Sequence, residues 1–180
     1  MVRSWAAWLL IAILAGMAPP LQADGSPRAP EYLIKAAYLY NFALFVEWPP
    51  DAFVGNDGPL TIGIVGADPF GWAIDQTIEN KRIGRRRIVV ERLRTNQDSR
   101  HCQILFIAPS ERGRVADIIH RLQGHPVLVV VDASDAGKPP GTVDFVVNDN
   151  KVGFVINLEA ARRARLTISS KMLGLARSVR

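Results

Sequence analysis

Four side chains carry the softest and most versatile ligand chemistry in this sequence: His101, Cys102, His120 and His125. No two histidines have the i, i+4 spacing that puts two zinc ligands on one helix face. No second cysteine completes a C-x-x-C, so spacing alone assigns no metal. His120 and His125 flank the end of an expected helix, where a histidine meets exposed carbonyls favourably. Cys102 sits beside His101, but consecutive residues of a strand face opposite sides. Reading residues 102–108 as a strand turns the thiol inward with Ile104, Phe106 and Ala108 and the imidazole away. A thiol–imidazole nucleophile is therefore not expected.

Other chemistries fare no better. A serine hydrolase places its nucleophile on a sharp turn, and no G-x-S-x-G is present. Asp132 and Asp135 lie just past an apolar run, where open α/β sheets hold ligands, yet no base or metal ligand accompanies them in sequence. The stretch GIVGADPFG, residues 63–71, has the strand, glycine turn and helix start that cradle phosphates. Its spacing fits neither G-x-G-x-x-G nor the P-loop, and Asp68 sets a carboxylate where a phosphate would sit. The sequence thus predicts no catalytic residues, no cofactor and no metal, and hence no enzyme. KRIGRRR, residues 81–87, gathers five cations around Gly84 as an exposed turn, suited to an anionic surface such as lipid headgroups, cell-wall polymer or an acidic partner.

The elements that position these residues follow from periodicity. Residues 31–48 read as a helix closed by Pro49 and Pro50, apolar nearly all round with Lys35 and Asn41 as exceptions, and so buried on more than one side. Strands are expected at residues 60–66, 87–93, 102–108 and 126–132, the last almost wholly β-branched. Between them lie a helix over residues 67–80, capped by Asp68 with Pro69 at its first position, and one over residues 109–122, capped by Ser110. This alternation predicts an α/β fold: a mostly parallel, mixed sheet of five to six strands with helices on both faces, a Rossmann-like sandwich. A C-terminal β-hairpin follows, turning at Asn148, Asp149 and Asn150. Asn157 caps a helix through Ala164, and Ser169 or Ser170 caps a last helix with an apolar stripe of Met172, Leu173, Leu175, Ala176 and Val179.

The first 23 residues are a different kind of segment. Arg3 precedes an apolar run from Trp5 to Met17, followed by Pro19, Pro20 and Ala23, the order of a cleavable secretory signal peptide. The run is shorter than the roughly 20 residues a membrane span needs. One domain is expected over residues 24–180, in the periplasm. Export removes nucleic acid as a partner despite the formal charge of +5. The lone Cys102 cannot form an internal disulfide, so stability rests on the core or on association.

The segments KAAYLYNFALFVEWP, LTIGIVGADPFG, CQILFIAPSE, VLVVVD and FVINLEAARRARLTISSKMLGLAR, in this order, resemble the YfiR-like family of periplasmic proteins. The resemblance implies an exported, often dimeric α/β domain without catalytic residues. It further implies binding to the periplasmic sensor domain of an inner-membrane diguanylate cyclase or another membrane sensor, which is held inactive, so controlling cyclic di-GMP and biofilm growth. Members with stabilising disulfides have cysteines to pair, whereas here residues 60–66 offer only Gly63 opposite Cys102, so redox control through an internal bridge is not expected. Partner-binding candidates are Asp68, Phe70, Asn157, Arg162, Ser169, Ser170 and Lys171. The competing reading is a periplasmic receptor for a small anionic ligand or a cell-wall component.

The signal-peptide reading predicts that the exported protein begins near Asp24. N-terminal sequencing of periplasmic material checks this, and Met1 on a membrane-bound form would contradict it.

Overall fold

The computed structural model describes residues 29–132 and 141–180. The expected signal peptide and Asp135 lie outside the described residues. Helix α1 (Ala29–Phe45) opens the domain. It buries Tyr32, Lys35, Ala36, Leu39, Phe42 and Ala43 at three- and four-residue spacing. The helix stops at Phe45, short of the expected 48. Val46–Glu47 (β1) instead pairs antiparallel with Thr167–Ile168 (β9). Trp48 and Pro49 each precede a proline and are steered away from helical backbone. Pro50–Ala52 then forms a 3-10 turn.

Among the described residues, the main sheet contains eight strands: β2 (Leu60–Val65), β3 (Arg82–Ile83), β4 (Arg86–Leu93), β5 (Ile104–Ile107), β6 (Leu128–Asp132), β7 (Val143–Asn148), β8 (Lys151–Ile156) and β10 (Ser178–Val179). Their spatial order is β10-β8-β7-β6-β5-β2-β4-β3. The five to six strands expected from the sequence are extended by two-residue edge strands. One is β3, which folds back on β4 around Gly84 (φ 57°); the other is β10, parallel to β8. The five mutually parallel strands run β4-β2-β5-β6-β7, the doubly wound order 2-1-3-4-5. Every residue of β2, β5 and β6 is buried, as parallel strands covered on both faces must be.

Alternation along these strands divides the core. Ile104 and Phe106 of β5 join the larger cluster under α1 and α2 (Trp72–Ile78), with Phe42, Phe145 and Phe154 at its centre. Leu105 and Ile107 face the other way, with Val115, Ile118 and Leu122 in and just after α3 (Val115–Arg121). The β7–β8 hairpin turns at Asp149 (φ 50°) and Asn150 (φ 56°), the left-handed pair of a two-residue type I′ turn.

The carboxyl group of Asp144 on β7 is buried in this core. Its Oδ1 accepts the Gly141 N–H at 2.9 Å, while Oδ2 has no hydrogen bond and lies 3.5 Å from the Arg180 guanidinium. Desolvation outweighs both partners and pushes its pKa up to about 6. The folded state therefore takes up a proton that the unfolded chain, titrating near ~3.9, does not hold. Stability should fall as pH rises from about 4 to about 6 and stay lowered above that. Asp144→Asn should flatten this slope and stabilise the protein at pH 7 by on the order of 2 kcal/mol, as read from denaturation at a series of pH values.

Candidate functional site

After β2 the chain leaves for α2 on one face of the sheet, and after β5 for α3 on the other. The C-terminal ends of these neighbouring strands therefore form the switch point at which doubly wound folds hold ligands. Here the two loops close on each other. The Ala67 N–H donates to Ser110 Oγ at 2.9 Å, and a Cβ on Gly66 would meet that oxygen at 2.5 Å. Ser110 thus fastens the β2 loop. It does not cap a helix, since a 3-10 turn, Pro109–Arg114, begins after Ala108 without a side-chain cap.

Asp68 is likewise not a helix cap. Its Oδ1 accepts the Phe70 N–H at 2.7 Å, tightening the loop, and α2 starts only at Trp72, after Gly71 at φ 55°. The other carboxylate oxygen meets Arg92 Nε at 2.8 Å, and Arg92 also reaches Asp75 at 2.6 Å. These hydrogen-bonded carboxylates, Asp75 first, raise the Arg92 pKa further. Phe70 is 4% exposed and packs edge-on against Tyr32 and Phe106, with centroids 5.4 and 4.7 Å away. It supports the loop from beneath.

Beside this loop lies a buried charge cluster that sequence reasoning missed. Lys35, an apparent exception on an apolar helix, is fully buried, and its Nζ donates to Asp132 Oδ2 at 2.7 Å and to Glu31. The Tyr32 hydroxyl donates to the same Asp132 oxygen at 2.9 Å. The ammonium also stands 4.6 Å from the Tyr32 ring centroid and 5.7 Å from that of Phe145. The available signal was Glu31 one turn before Lys35, with Asp132 at a strand's C-terminal end.

The remaining candidates lie at the opposite end of the sheet. Strand β8 runs antiparallel to β7 and pairs Ile156 with Val143, so Asn157 emerges beside the first residues of the parallel strands. Its Oδ1 accepts the Ala160 N–H at 3.0 Å and caps α4 (Leu158–Arg163), while Ser169 Oγ accepts the Met172 N–H at 3.3 Å and caps α5 (Ser170–Leu175). Arg162, Ser170 and Lys171 are exposed on these two helices. The expected apolar stripe is shorter than the sequence suggested. Met172 is buried and Leu173 half-buried, but α5 ends at Leu175, which is exposed, and Val179 belongs to edge strand β10. A six-residue helix cannot carry a longer face. The structure therefore separates Asp68 and Phe70 from Asn157, Arg162, Ser169, Ser170 and Lys171.

Cys102 is buried, as expected, but its surroundings differ. Strand β5 starts at Ile104, so Cys102 lies in the preceding turn and joins Leu93, Leu105 and Ile107, not Ile104, Phe106 and Ala108. His101 is not turned away from it: the imidazole Nε2 lies 3.7 Å from the sulfur and 2.8 Å from Glu91 Oε2. Burial, with Glu91 and Asp98 nearby, pushes the thiol pKa up to about 12.

Fold and site together define a doubly wound α/β domain whose switch-point loops are tied by a cross-loop hydrogen bond, with a buried ion pair at the neighbouring end of β6. The YfiR/HmsC-like family model (DUF4154) matches residues 32–177, and the chain belongs to that family, a regulatory and periplasmic one. Among solved structures, the ABC domain from Streptococcus pneumonia in complex with L-Trp aligns with a TM-score of 0.55 at 12% identity, over 81% of this chain and 60% of that one. A conserved domain protein from Vibrio cholerae O1 biovar El Tor aligns with a TM-score of 0.49 at 13% identity, over 67% of this chain and 55% of that one. This chain thus spans less than two thirds of either structure, and the likeness to the first is one of fold. No curated protein matches the sequence. Among the described residues, no helix is long and apolar enough to cross a membrane.

Removing one partner of the buried pair should expose its cost. Asp132→Ala leaves the Lys35 ammonium buried without its main-sheet carboxylate and should destabilise the fold by about 3–5 kcal/mol. Urea denaturation measures the loss, and a wild-type midpoint would contradict the assignment.

Proposed function

We propose that this protein is an exported regulator that binds the periplasmic sensor domain of an inner-membrane diguanylate cyclase and represses it, lowering cyclic di-GMP and biofilm formation. The observation that carries this reading is the family match over residues 32–177, nearly the whole α/β domain. On this reading the protein is a homodimer in the periplasm and works through a protein surface without catalysis. Arg162, Ser170 and Lys171 project from α4 and α5 at one end of the sheet, where Asn157 and Ser169 fix the starts of both helices. Exposed cations held on short capped helices suit recognition of an acidic partner surface, setting association rate and orientation more than bulk affinity.

A second reading, a receptor for a small anionic ligand or cell-wall component, is favoured by one feature. Trp72, 66% exposed, shares an open groove of about 770 Å³ with Lys81, Arg82 and Arg87 beside the β3–β4 edge. An aromatic face flanked by cations suits a sugar or phosphate-bearing fragment.

The two readings make different demands on the same protein. Pull-down of the cyclase sensor domain should weaken about tenfold in a variant carrying Arg162→Ala and Lys171→Ala, equivalent to ~1.4 kcal/mol. Its melting should match wild type, because exposed side chains of this kind change stability by no more than about 0.5 kcal/mol. Trp72→Ala should leave that pull-down intact. Normal retention of the double charge variant would refute the assigned face, and failure of the wild-type protein to retain any cyclase domain would refute the regulatory reading.

A further inference from the structure

We propose that Glu91, His101 and Cys102 form a binding site for one zinc-class divalent cation. The three ligating atoms come from neighbouring strands and one turn. Glu91 lies on β4 at the level of Gly63 on β2, while His101 and Cys102 lie in the turn that precedes β5 on the other side of β2. Although consecutive in sequence, the two side chains come together, with Sγ and Nε2 3.7 Å apart.

The distances have the scale of a coordination shell. With Zn–N near 2.0–2.1 Å, Zn–S near 2.3 Å and a tetrahedral angle, nitrogen and sulfur ligands should lie about 3.6 Å apart, and nitrogen and oxygen about 3.3 Å. The first separation is already present, the Glu91 oxygen stands 2.8 Å from Nε2, and all three atoms lie within 4.8 Å of one another. Loading requires the Glu91–His101 hydrogen bond to open by about half an ångström so that the metal can replace its proton.

The arrangement also discriminates between a ligand set and a nucleophilic triad. In a triad the acid holds one imidazole nitrogen and the nucleophile contacts the other. Here the carboxylate and the sulfur both approach Nε2. All three donor atoms lie within 4.8 Å of one another, as ligands of a single ion must. Nitrogen, sulfur and carboxylate oxygen together match the borderline softness of Zn²⁺ and leave a fourth position for water. The sulfur binds as thiolate, so loading releases its proton to solvent.

Access and support are present as well. The side chains of Glu91 and His101 are 42% and 45% exposed, so the cation enters from solvent and meets the buried sulfur behind them. On β2, Gly63 leaves the flank of that sulfur clear: a Cβ there would lie 2.8 Å from Sγ. The site stands independently of the regulatory reading, since it rests on the placement of three side chains.

The test uses the mature protein, titrated with Zn²⁺ in competition with a chromophoric chelator and with Co²⁺ as a spectroscopic probe. One equivalent should bind, and Co²⁺ should give a thiolate-to-metal charge-transfer band. His101→Ala and Glu91→Gln alter exposed side chains and should fold normally, as metal-free melting checks. Each should weaken Zn²⁺ binding at least tenfold, while Cys102→Ser should abolish the charge-transfer band. If Cys102→Ser fails to fold, the His101 and Glu91 variants decide the matter. Absence of the band in wild type overturns the proposal. So does undiminished affinity in both exposed variants, or a loss of binding that follows His120→Ala and His125→Ala instead.

Discussion

The ion pair between Lys35 and Asp132 is the constraint around which the domain is arranged. Both side chains are essentially inaccessible, and a charge removed from water costs several kcal/mol unless its partner is held in place. The pair therefore fixes the register of α1 on the sheet as tightly as apolar packing fixes its area. With Lys35 at Asp132, Phe42 lies two turns further along against Phe145 and Phe154, with centroids 5.8 and 5.0 Å apart. The helix then ends where Val46 can pair with Ile168. A slide by one turn would strand the ammonium in the aromatic cluster.

The same pair affects what the fold can offer a partner. Open α/β sheets hold ligands beyond the C-terminal ends of their strands at the switch point. Here that end carries Lys35, Tyr32 and Asp132 bonded to one another, and the two loops are tied by Ala67 and Ser110. Among the described residues, these groups are engaged in holding the helix and loops. Among the described residues, further exposed chemistry lies on α4 and α5, in the groove beside Trp72, and around His101.

What the sequence revealed divides along a physical line. The parallel strands were readable because burial on both faces demands unbroken apolar runs, as in residues 126–132. The hairpin and the caps at Asn157 and Ser169 were readable because turn and cap chemistry is local. Features settled by distant partners were not. Strands β3 and β10 have two residues each and exist through pairing. Lys35 is buried because of a carboxylate 97 positions away. Asp68 and Ser110 have the residue types of helix caps, and a neighbouring loop redirected both. The His101–Cys102 pair was misread because β5 begins two residues later than its composition suggests, and the two side chains come together in the turn before it.

The basic tail shows how charge and packing share one segment. Arg163 pairs with Glu159, Arg165 with Asp51 and Arg180 with Asp144, while Arg177 crosses Gly153 to donate to the Lys151 carbonyl. All but the first, which lies within α4, tie the C-terminal elements to earlier segments, and among the described residues no ion pair engages Arg162 or Lys171. Two exposed cations supply orientation and about a tenfold share of affinity at most, because exposed ion pairs contribute about 0–1 kcal/mol each. A regulatory partner of the kind proposed would therefore need apolar surface here as well. Leu44 at the end of α1, Leu175 at the end of α5 and Val179 on β10 are 43%, 56% and 41% exposed, and α1 packs against α5. Burying a large apolar side chain contributes roughly 1.5–3 kcal/mol, more than either cation can. On the proposed regulatory reading, exposed apolar side chains at this end would add more to binding strength than the two cations, which would act mainly on approach and orientation.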